Sequence, residues 1–297
     1  MAGTPSPRQF VIFGYNIQYT LSPTIHNAAF AALGLPHHYS IHDVPSLEPD
    51  ETRALLSAPS FGGASVTLPH KLAIIPFLDQ VSDAASMIGA VNTIIVDDSD
   101  SSKRVLKGDN TDYTGIRDCI SAALPSGAPP LQSGLVIGAG GSARAAIYAL
   151  YSLGVPTVYI YNRTVSKAQD ISREFSSRVK VVVIESLDPS SWPAGASSPQ
   201  VIVGNVPGDA MTESDFPPSL LSSNAGGVIV EMAYKPDVTP LMRAAEKSGG
   251  AWKVVRGTDV LLGQGYEQFR LWTGLEPPKE VMIDALTKEV ERRKKSE

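Results

Sequence analysis

A chain of 297 residues with 25 Lys and Arg against 30 Asp and Glu, a formal charge of −5, lacks the basic excess that would neutralise a nucleic-acid backbone. At 43% hydrophobic and 19% charged residues it is neither disordered nor a charged tail, and its length suits one large domain or two medium ones. The single cysteine, Cys119, excludes an intramolecular disulfide or a cysteine-built metal cluster. No run approaches the roughly 18–20 apolar residues of a membrane span, and MAGTPSPRQF is no secretory leader, so a soluble cytoplasmic protein is expected.

Short β-branched runs alternate with amphipathic stretches along the chain, which predicts an α/β architecture with parallel sheet. Phe10–Phe13 reads as a strand. Ser22 reads as the N-cap of a helix with Pro23 in its first turn and Gly34 as its stop. Tyr39–Ile41 and Ala64–Thr67 read as strands, each followed by a helical stretch. Thr93–Val96 and Arg104–Leu106 flank Asp97–Lys103, a hairpin-like connection read as a solvated loop. Gly108-Asp109-Asn110-Thr111-Asp112 is a polar turn leading into a helix that ends near Leu124. Residues 125–134, with three prolines and two glycines, read as the segment joining that helix to a second domain.

The pattern then restarts with strand Leu135–Ile137, helix Ser142–Leu153 stopped by Gly154, strand Val158–Tyr161, helix Ser166–Phe175 and strand Val179–Ile184. Residues 186–199 read as an exposed connection. Strands Val201–Val203 and Val228–Glu231, a helix around Pro240–Lys247, and helices Val260–Thr273 and Lys279–Lys294 complete the chain. Arg292, Arg293, Lys294 and Lys295 fall where cations complement the last helix's dipole; nucleic-acid contact is the less economical reading.

Gly138-Ala139-Gly140-Gly141-Ser142-Ala143 lies directly between a predicted strand and a predicted helix, as G-x-G-x-x-G/A requires. Gly138 permits the tight turn, Gly140 admits a pyrophosphate near backbone, and Ala143 permits close helix–strand packing. The helix's first N–H groups then face the anion. A plain glycine turn is the alternative. The next strand ends in Asn162-Arg163-Thr164 with Lys167 beyond, where NAD-specific sites usually carry a carboxylate. Two cations there suit a 2′-phosphate and so NADP, unless both are ordinary surface charges.

In the first half, Thr20 and Ser22, then Ser65, Thr67 and Lys71, then Asn92, then Asp112, stand at element ends. These types suit recognition of a polyhydroxylated anion, with Lys71 and Asp112 available for proton transfer. Singly, Ser22 reads equally as a cap, and Asn92 and Asp112 as turn formers. The five histidines show no ligand spacing; His26 reads as a packing or capping residue, and no metal is expected.

In their order these segments strongly resemble the shikimate dehydrogenase family, from Phe10 to about Leu286. The carrying motifs are Leu21-Ser22-Pro23 with His26-Asn27, Gly63 through Lys71, Gly89 through Thr93, and Asp109 through Asp112. Gly138 through Ala143, Asn162 through Lys167, Glu231 through Pro236 and Gly263-Gln264-Gly265 follow. The wording is similar to that of the shikimate dehydrogenase domain of fungal pentafunctional AROM polypeptides. The resemblance implies two domains with the active site in the cleft between them. Residues 1–112, completed by helices in 258–297, would form an α/β substrate domain, and 113–257 a Rossmann-like NADP-binding domain.

The activity implied is reversible reduction of 3-dehydroshikimate to shikimate with NADPH, a small-molecule reaction without nucleic acid or membrane. Lys71 and Asp112 match the catalytic pair. Thr20, Ser22, Ser65, Thr67, Asn92, Tyr234 and Gln264 match substrate-binding positions. Met232 and Gly257 join the glycine loop and the Asn162–Lys167 segment on the cofactor side. Three departures stand out. Thr20 replaces the first serine of the family's Ser-x-Ser, Ser65 replaces a frequent Asn, and Gly204-Asn205-Val206-Pro207-Gly208 differs from the usual Asn-Ala-Thr-Ser form. The rivals are a quinate or quinate/shikimate dehydrogenase and a catalytically silent regulatory homologue.

Overall fold

The computed structural model describes residues 6–100, 103–222 and 226–295. The chain forms two compact units, Met1–Thr111 with Gln264–Glu297, and Asp112–Gly263.

In the first unit β1 (Gln9–Gly14), α1 (Ser22–Ala32), β2 (His38–Asp43), α2 (Pro49–Ser57) and β3 (Phe61–Val66) alternate. There follow β4 (Gln80–Val81), α3 (Asp83–Ile88), β5 (Thr93–Asp100) and β6 (Lys103–Asp109). The sheet order is β2-β1-β3-β5-β6-β4. Only part of it is parallel: β1 pairs in parallel with β2 and β3, whereas β5 runs antiparallel to β3 and β6. The expected solvated loop at Asp97–Lys103 is instead the end of a hairpin, paired from Thr93↔Asp109 to Asp97↔Val105 and again at Asp100↔Lys103. Its charges are matched, Lys107 with Asp97 and Arg8 with Asp98, and Arg104 donates to the carbonyls of Ala58 and Phe61. Ser101 and Ser102 lie outside the described residues.

No helix follows β3 directly. Pro69 cannot donate a backbone hydrogen bond, and turns with a single 3-10 turn, Ile75–Phe77, precede α3. All six residues of β3 are buried, as a central strand covered on both faces requires.

The second unit holds α4 (Asp112–Ala123), β7 (Ser133–Ile137), α5 (Gly141–Ser152), β8 (Thr157–Tyr161), α6 (Val165–Phe175) and β9 (Lys180–Ile184). It continues with β10 (Val201–Gly204), α7 (Pro218–Leu221), β11 (Gly227–Glu231), α8 (Pro240–Lys247) and β12 (Trp252–Val255). The order β12-β11-β10-β7-β8-β9 is parallel throughout, the doubly wound arrangement with its switch point between β7 and β10. β7 and β10 are apolar runs buried on both faces, and α6 buries Ala168, Ile171 and Phe175 at helical spacing.

Two expectations fail here. Residues 125–134 lie inside this unit, because α4 belongs to it and packs on α5. The 186–199 connection is partly core: Leu187 and Trp192 are buried, Trp192 Nε1 donates to the Ser186 carbonyl at 2.9 Å, and its ring lies 4.6 Å from that of Tyr159. The short strand β12 is an additional element.

α9 (Gly257–Thr273) contains the second division of the chain, which falls between Gly263 and Gln264. α10 (Lys279–Lys294) returns to the first unit and packs on α1. Its basic end is more than a dipole complement, since Arg292 and Arg293 pair with Glu289 and Arg293 also donates to the carbonyls of Tyr19 and Thr20.

Candidate functional site

In the first unit the ends of β1, β3, β5 and β6 gather at one place. Thr67 N–H donates to the Phe13 carbonyl at 2.8 Å, Val66 N–H to Asn92 at 2.7 Å, and Asn92 N–H to Asp109 at 3.0 Å. Val91 N–H donates to the Lys71 carbonyl at 2.8 Å, so the turn after β3 is tied to the residue preceding Asn92. Lys71 is buried and Thr67 half-buried.

Around this point lies a set of buried polar side chains, Thr20, Ser22, Ser65, Asn92 and Gln264. Ser22 does not cap α1. The cap position is Leu21, without a side-chain hydrogen bond, and Ser22 is the first helical residue. Its Oγ instead accepts from Thr20 Oγ1 at 3.3 Å. Asn92 Nδ2 donates to Thr111 Oγ1 at 3.0 Å and to Gln264 Oε1 at 3.4 Å, and Asn92 Oδ1 accepts from Thr111 N–H at 2.6 Å. Asn92 is therefore more than a turn former: it is the hub of this cluster.

The sequence-derived set omits the residues behind this cluster. Tyr39 OH donates to Ser65 Oγ at 2.6 Å; burial drives the phenol's pKa above its ordinary value, and hydrogen bonds with Ser65 and Ser22 oppose the shift. His26 stacks on Tyr39 with ring centroids 4.8 Å apart and contacts Gln268 Oε1 at 3.3 Å. It is a packing residue; burial lowers its pKa to about 3, partly offset by Gln268, and keeps the ring neutral. Gln268 lies four residues beyond Gln264 on α9, hence on the same helical face. A second glutamine at that spacing was the available signal.

In the second unit the glycine segment forms a turn between β7 and α5. Gly138 has φ +114°, and a Cβ there would lie 2.9 Å from the Asn205 carbonyl oxygen, so only glycine fits. Gly140 has nothing within 4 Å of where a Cβ would stand, which leaves its side of the turn open. Ala139 follows the turn's first glycine, Gly141 and Ser142 open α5, and Ala143 is fully buried against the core. An open backbone turn at a helix N-terminus fits a dinucleotide's pyrophosphate. The divergent Gly204–Gly208 segment borders the same turn, with Asn205 N–H donating to the Ile137 carbonyl at 2.8 Å.

At the end of β8 Asn162 Nδ2 donates to the Thr164 carbonyl at 2.8 Å, shaping the turn that presents Arg163. Arg163, Thr164 and Lys167 are exposed, and among the described residues Arg163 makes no hydrogen bond or ion pair. Met232 follows β11, and a Cβ on Gly257 would lie 2.5 Å from the Met232 carbonyl, so these two positions adjoin. Tyr234 is half-buried in the following turn. That turn is held by Glu231, which accepts from Ala233 N–H at 3.0 Å and Thr239 Oγ1 at 2.7 Å; burial raises its pKa. Asp112, the first residue of α4, is buried. Among the described residues no group of three or more His, Cys, Asp or Glu is placed to hold a metal ion, and no helix is long and apolar enough to cross a membrane.

Three family models match separate segments of the chain. Residues 12–94 match the model of the shikimate dehydrogenase substrate-binding domain, residues 131–190 that of shikimate/quinate 5-dehydrogenase, and residues 257–287 that of the shikimate 5-dehydrogenase C-terminal domain. The chain is 40% identical over 306 residues to the pentafunctional AROM polypeptide of Mycosarcoma maydis, covering 94% of itself and 18% of that protein. It is 39% identical over 326 residues to the quinate repressor protein of Emericella nidulans, covering 98% of itself and 36% of the repressor. It thus spans only 18% to 36% of the length of these curated relatives.

Among solved structures, shikimate 5-dehydrogenase from Thermus thermophilus, in complex with NADP(H) and shikimate, is 31% identical with a TM-score of 0.76. The match covers 95% of this chain and 99% of that one. Quinate dehydrogenase from Corynebacterium glutamicum, in complex with NAD, is 26% identical with a TM-score of 0.78, covering 95% and 100%.

Proposed function

We propose, because the chain belongs to the shikimate dehydrogenase family, that it catalyses the reversible, NADP-dependent reduction of 3-dehydroshikimate to shikimate. The observation that carries this reading is the buried polar cluster of the first unit, in which Thr20, Ser22, Asn92 and Gln264 are each at most 8% exposed. Hydroxyls and amides held by one another in fixed positions beside a buried lysine are the groups that recognition of a polyhydroxylated anion calls for.

Reduction of the ketone develops negative charge on its oxygen. The nicotinamide cofactor, when bound, supplies the hydride and accepts it in the reverse direction. Lys71 stabilises the developing charge and donates the proton, and Asp112 orients the hydroxyl and keeps the lysine charged. Thr20, Ser22, Thr67, Asn92, Tyr234 and Gln264 hold the substrate's carboxylate and ring hydroxyls. The Gly138–Ala143 turn would hold the pyrophosphate and Arg163 with Lys167 the 2′-phosphate. Met232 and Gly257 would lie on the nicotinamide side.

The likeness to a repressor over nearly the whole chain favours one second reading, a binding module without turnover. Against it stands the retention of Lys71, Asp112 and the glycine turn together, a set that ligand binding alone does not need. Initial rates with shikimate and with quinate, each with NADP⁺ and NAD⁺, decide. The expected result is the highest kcat/KM for shikimate with NADP⁺. Equal or better use of quinate makes the chain a quinate-type dehydrogenase, and no turnover with bound ligand makes it the regulatory module.

A further inference from the structure

The loop between β1 and α1, residues 15–21, carries Thr20 and leads into Ser22. Tyr15, Asn16, Gln18 and Tyr19 are exposed, and Ile17 and Leu21 are its buried apolar side chains. Opposite charges hold its backbone at the two ends. At the first end the successive N–H groups of Asn16 and Ile17 donate to the two oxygens of Asp43, at 2.8 and 3.1 Å, and Gln18 Nε2 adds a third bond at 3.1 Å. Asn16 has φ +55°, a left-handed conformation of the kind that turns adjacent N–H groups toward one anion. Among the described residues those two N–H groups have no other acceptor.

At the second end Arg293 donates to the Tyr19 carbonyl and, at 3.4 Å, to that of Thr20, while its Nε is held by Glu289 at 2.7 Å. Donors of the loop thus face a carboxylate at the end of β2, and acceptors face a guanidinium on α10. The two grips meet inside the loop. Thr20 N–H donates to the Ile17 carbonyl at 2.9 Å, so the residue that Asp43 holds is bonded to the residue that Arg293 holds. Thr20 Oγ1 in turn donates to Ser22 Oγ at 3.3 Å.

We propose that Asp43 and Arg293 are positioning residues, a pair of opposite charges that clamps loop 15–21 from both ends and so fixes the Thr20 and Ser22 hydroxyls for a ligand. The role of those hydroxyls rests on the function proposed above; the clamp does not. A loop with four exposed side chains and few backbone bonds opens more readily than the strand beside it. Loss of either charge therefore loosens the loop before it disturbs the core.

The test uses Asp43→Asn, which keeps the shape but turns an NH₂ group toward one of the loop's donors, and Arg293→Met, which keeps the stem without the charge. In each, hydrogen exchange of segment 15–21 should quicken about tenfold while that of β1 stays as in the wild type. KM for shikimate should rise about tenfold, the lower end for a hydrogen bond to a charged group, with kcat and the KM for NADP⁺ close to wild type. The effect falls on KM because these hydroxyls hold the substrate and its transition state alike. Asp43→Glu, which restores a carboxylate, should recover part of both changes. If Asp43→Asn does not fold, Arg293→Met carries the test. Faster exchange with unchanged KM, a raised KM without faster exchange, a loss carried by kcat, or no change at all overturns the proposal. Should the wild type fail to turn over shikimate, the function proposed above falls, and the exchange of 15–21 alone decides the clamp.

Discussion

Replacing Arg163 with alanine isolates the charge at the end of β8. The guanidinium is exposed and makes no hydrogen bond or ion pair among the described residues, so its removal breaks nothing in the fold and any effect belongs to ligand binding. A hydrogen bond to a charged group contributes roughly 1.5–3 kcal/mol, and exposure to solvent argues for the lower end. At about 1.4 kcal/mol per decade, Arg163→Ala should weaken NADP⁺ by roughly tenfold and leave NAD⁺ nearly unaffected. Arg163→Lys should retain part of the preference, because the charge survives while the planar fork is lost. Initial rates with shikimate at saturation, varying each cofactor at low and high salt, give the four values needed. The wild-type preference should narrow as salt rises. Equal kcat/KM for the two cofactors in the wild type, or an equal loss of both in Arg163→Ala, refutes the phosphate assignment.

Lys71→Ala should lower kcat by at least ~10²-fold, the scale of a positioned acid or base, with NADP⁺ affinity by calorimetry unchanged; an active variant removes the catalytic assignment. Thr20→Ser removes one methyl beside Ser22 and should improve kcat/KM for shikimate if that methyl crowds the ligand; an unchanged value shows it does not. Buried His26 ties stability to pH. With its folded pKa near 3, below the ordinary value of 6.5, the unfolded chain binds the extra proton between those limits. Stability should therefore fall as pH drops from about 6.5 toward 3, by up to about 1.4 kcal/mol per unit. Denaturation midpoints across that range should show the slope, and His26→Gln should flatten it.

The second unit was the more legible half because its elements are local. Strands such as Val158–Tyr161 are bracketed by glycine and turn residues, and a parallel β-α-β order needs no long-range pairing to be recognised. The first unit hides its topology in pairings that patterning does not encode. The polar tip of β5 and β6 reads as a loop because its charges are matched only on folding: Lys107 meets Asp97 across the hairpin, Arg8 reaches Asp98 from outside it, and Arg104 donates to the Ala58 and Phe61 carbonyls. Trp192 misled for a related reason: a Ser- and Pro-rich stretch looks exposed, but one indole bonded to Ser186 and packed on Tyr159 fixes it against the core.

The same contrast divides the candidate site. Gly138, Thr20 and Lys71 stand at element ends, where a residue type with a special conformation or charge is conspicuous. Thr93 and Gln268 sit inside a strand and a helix and are conspicuous only once the chain is folded, since 175 positions separate the two ends of their hydrogen bond. Each is an unremarkable polar residue in a window of sequence and a fully buried one in the structure. Burial limits their choices: in water either side chain could exchange partners freely, whereas here the Asn92 carbonyl fixes the sense of the Gln268 amide, and Thr93 Oγ1 is held between Gln268 and Asn92. A sequence reading finds the groups able to touch a ligand, and the fold adds the groups behind them.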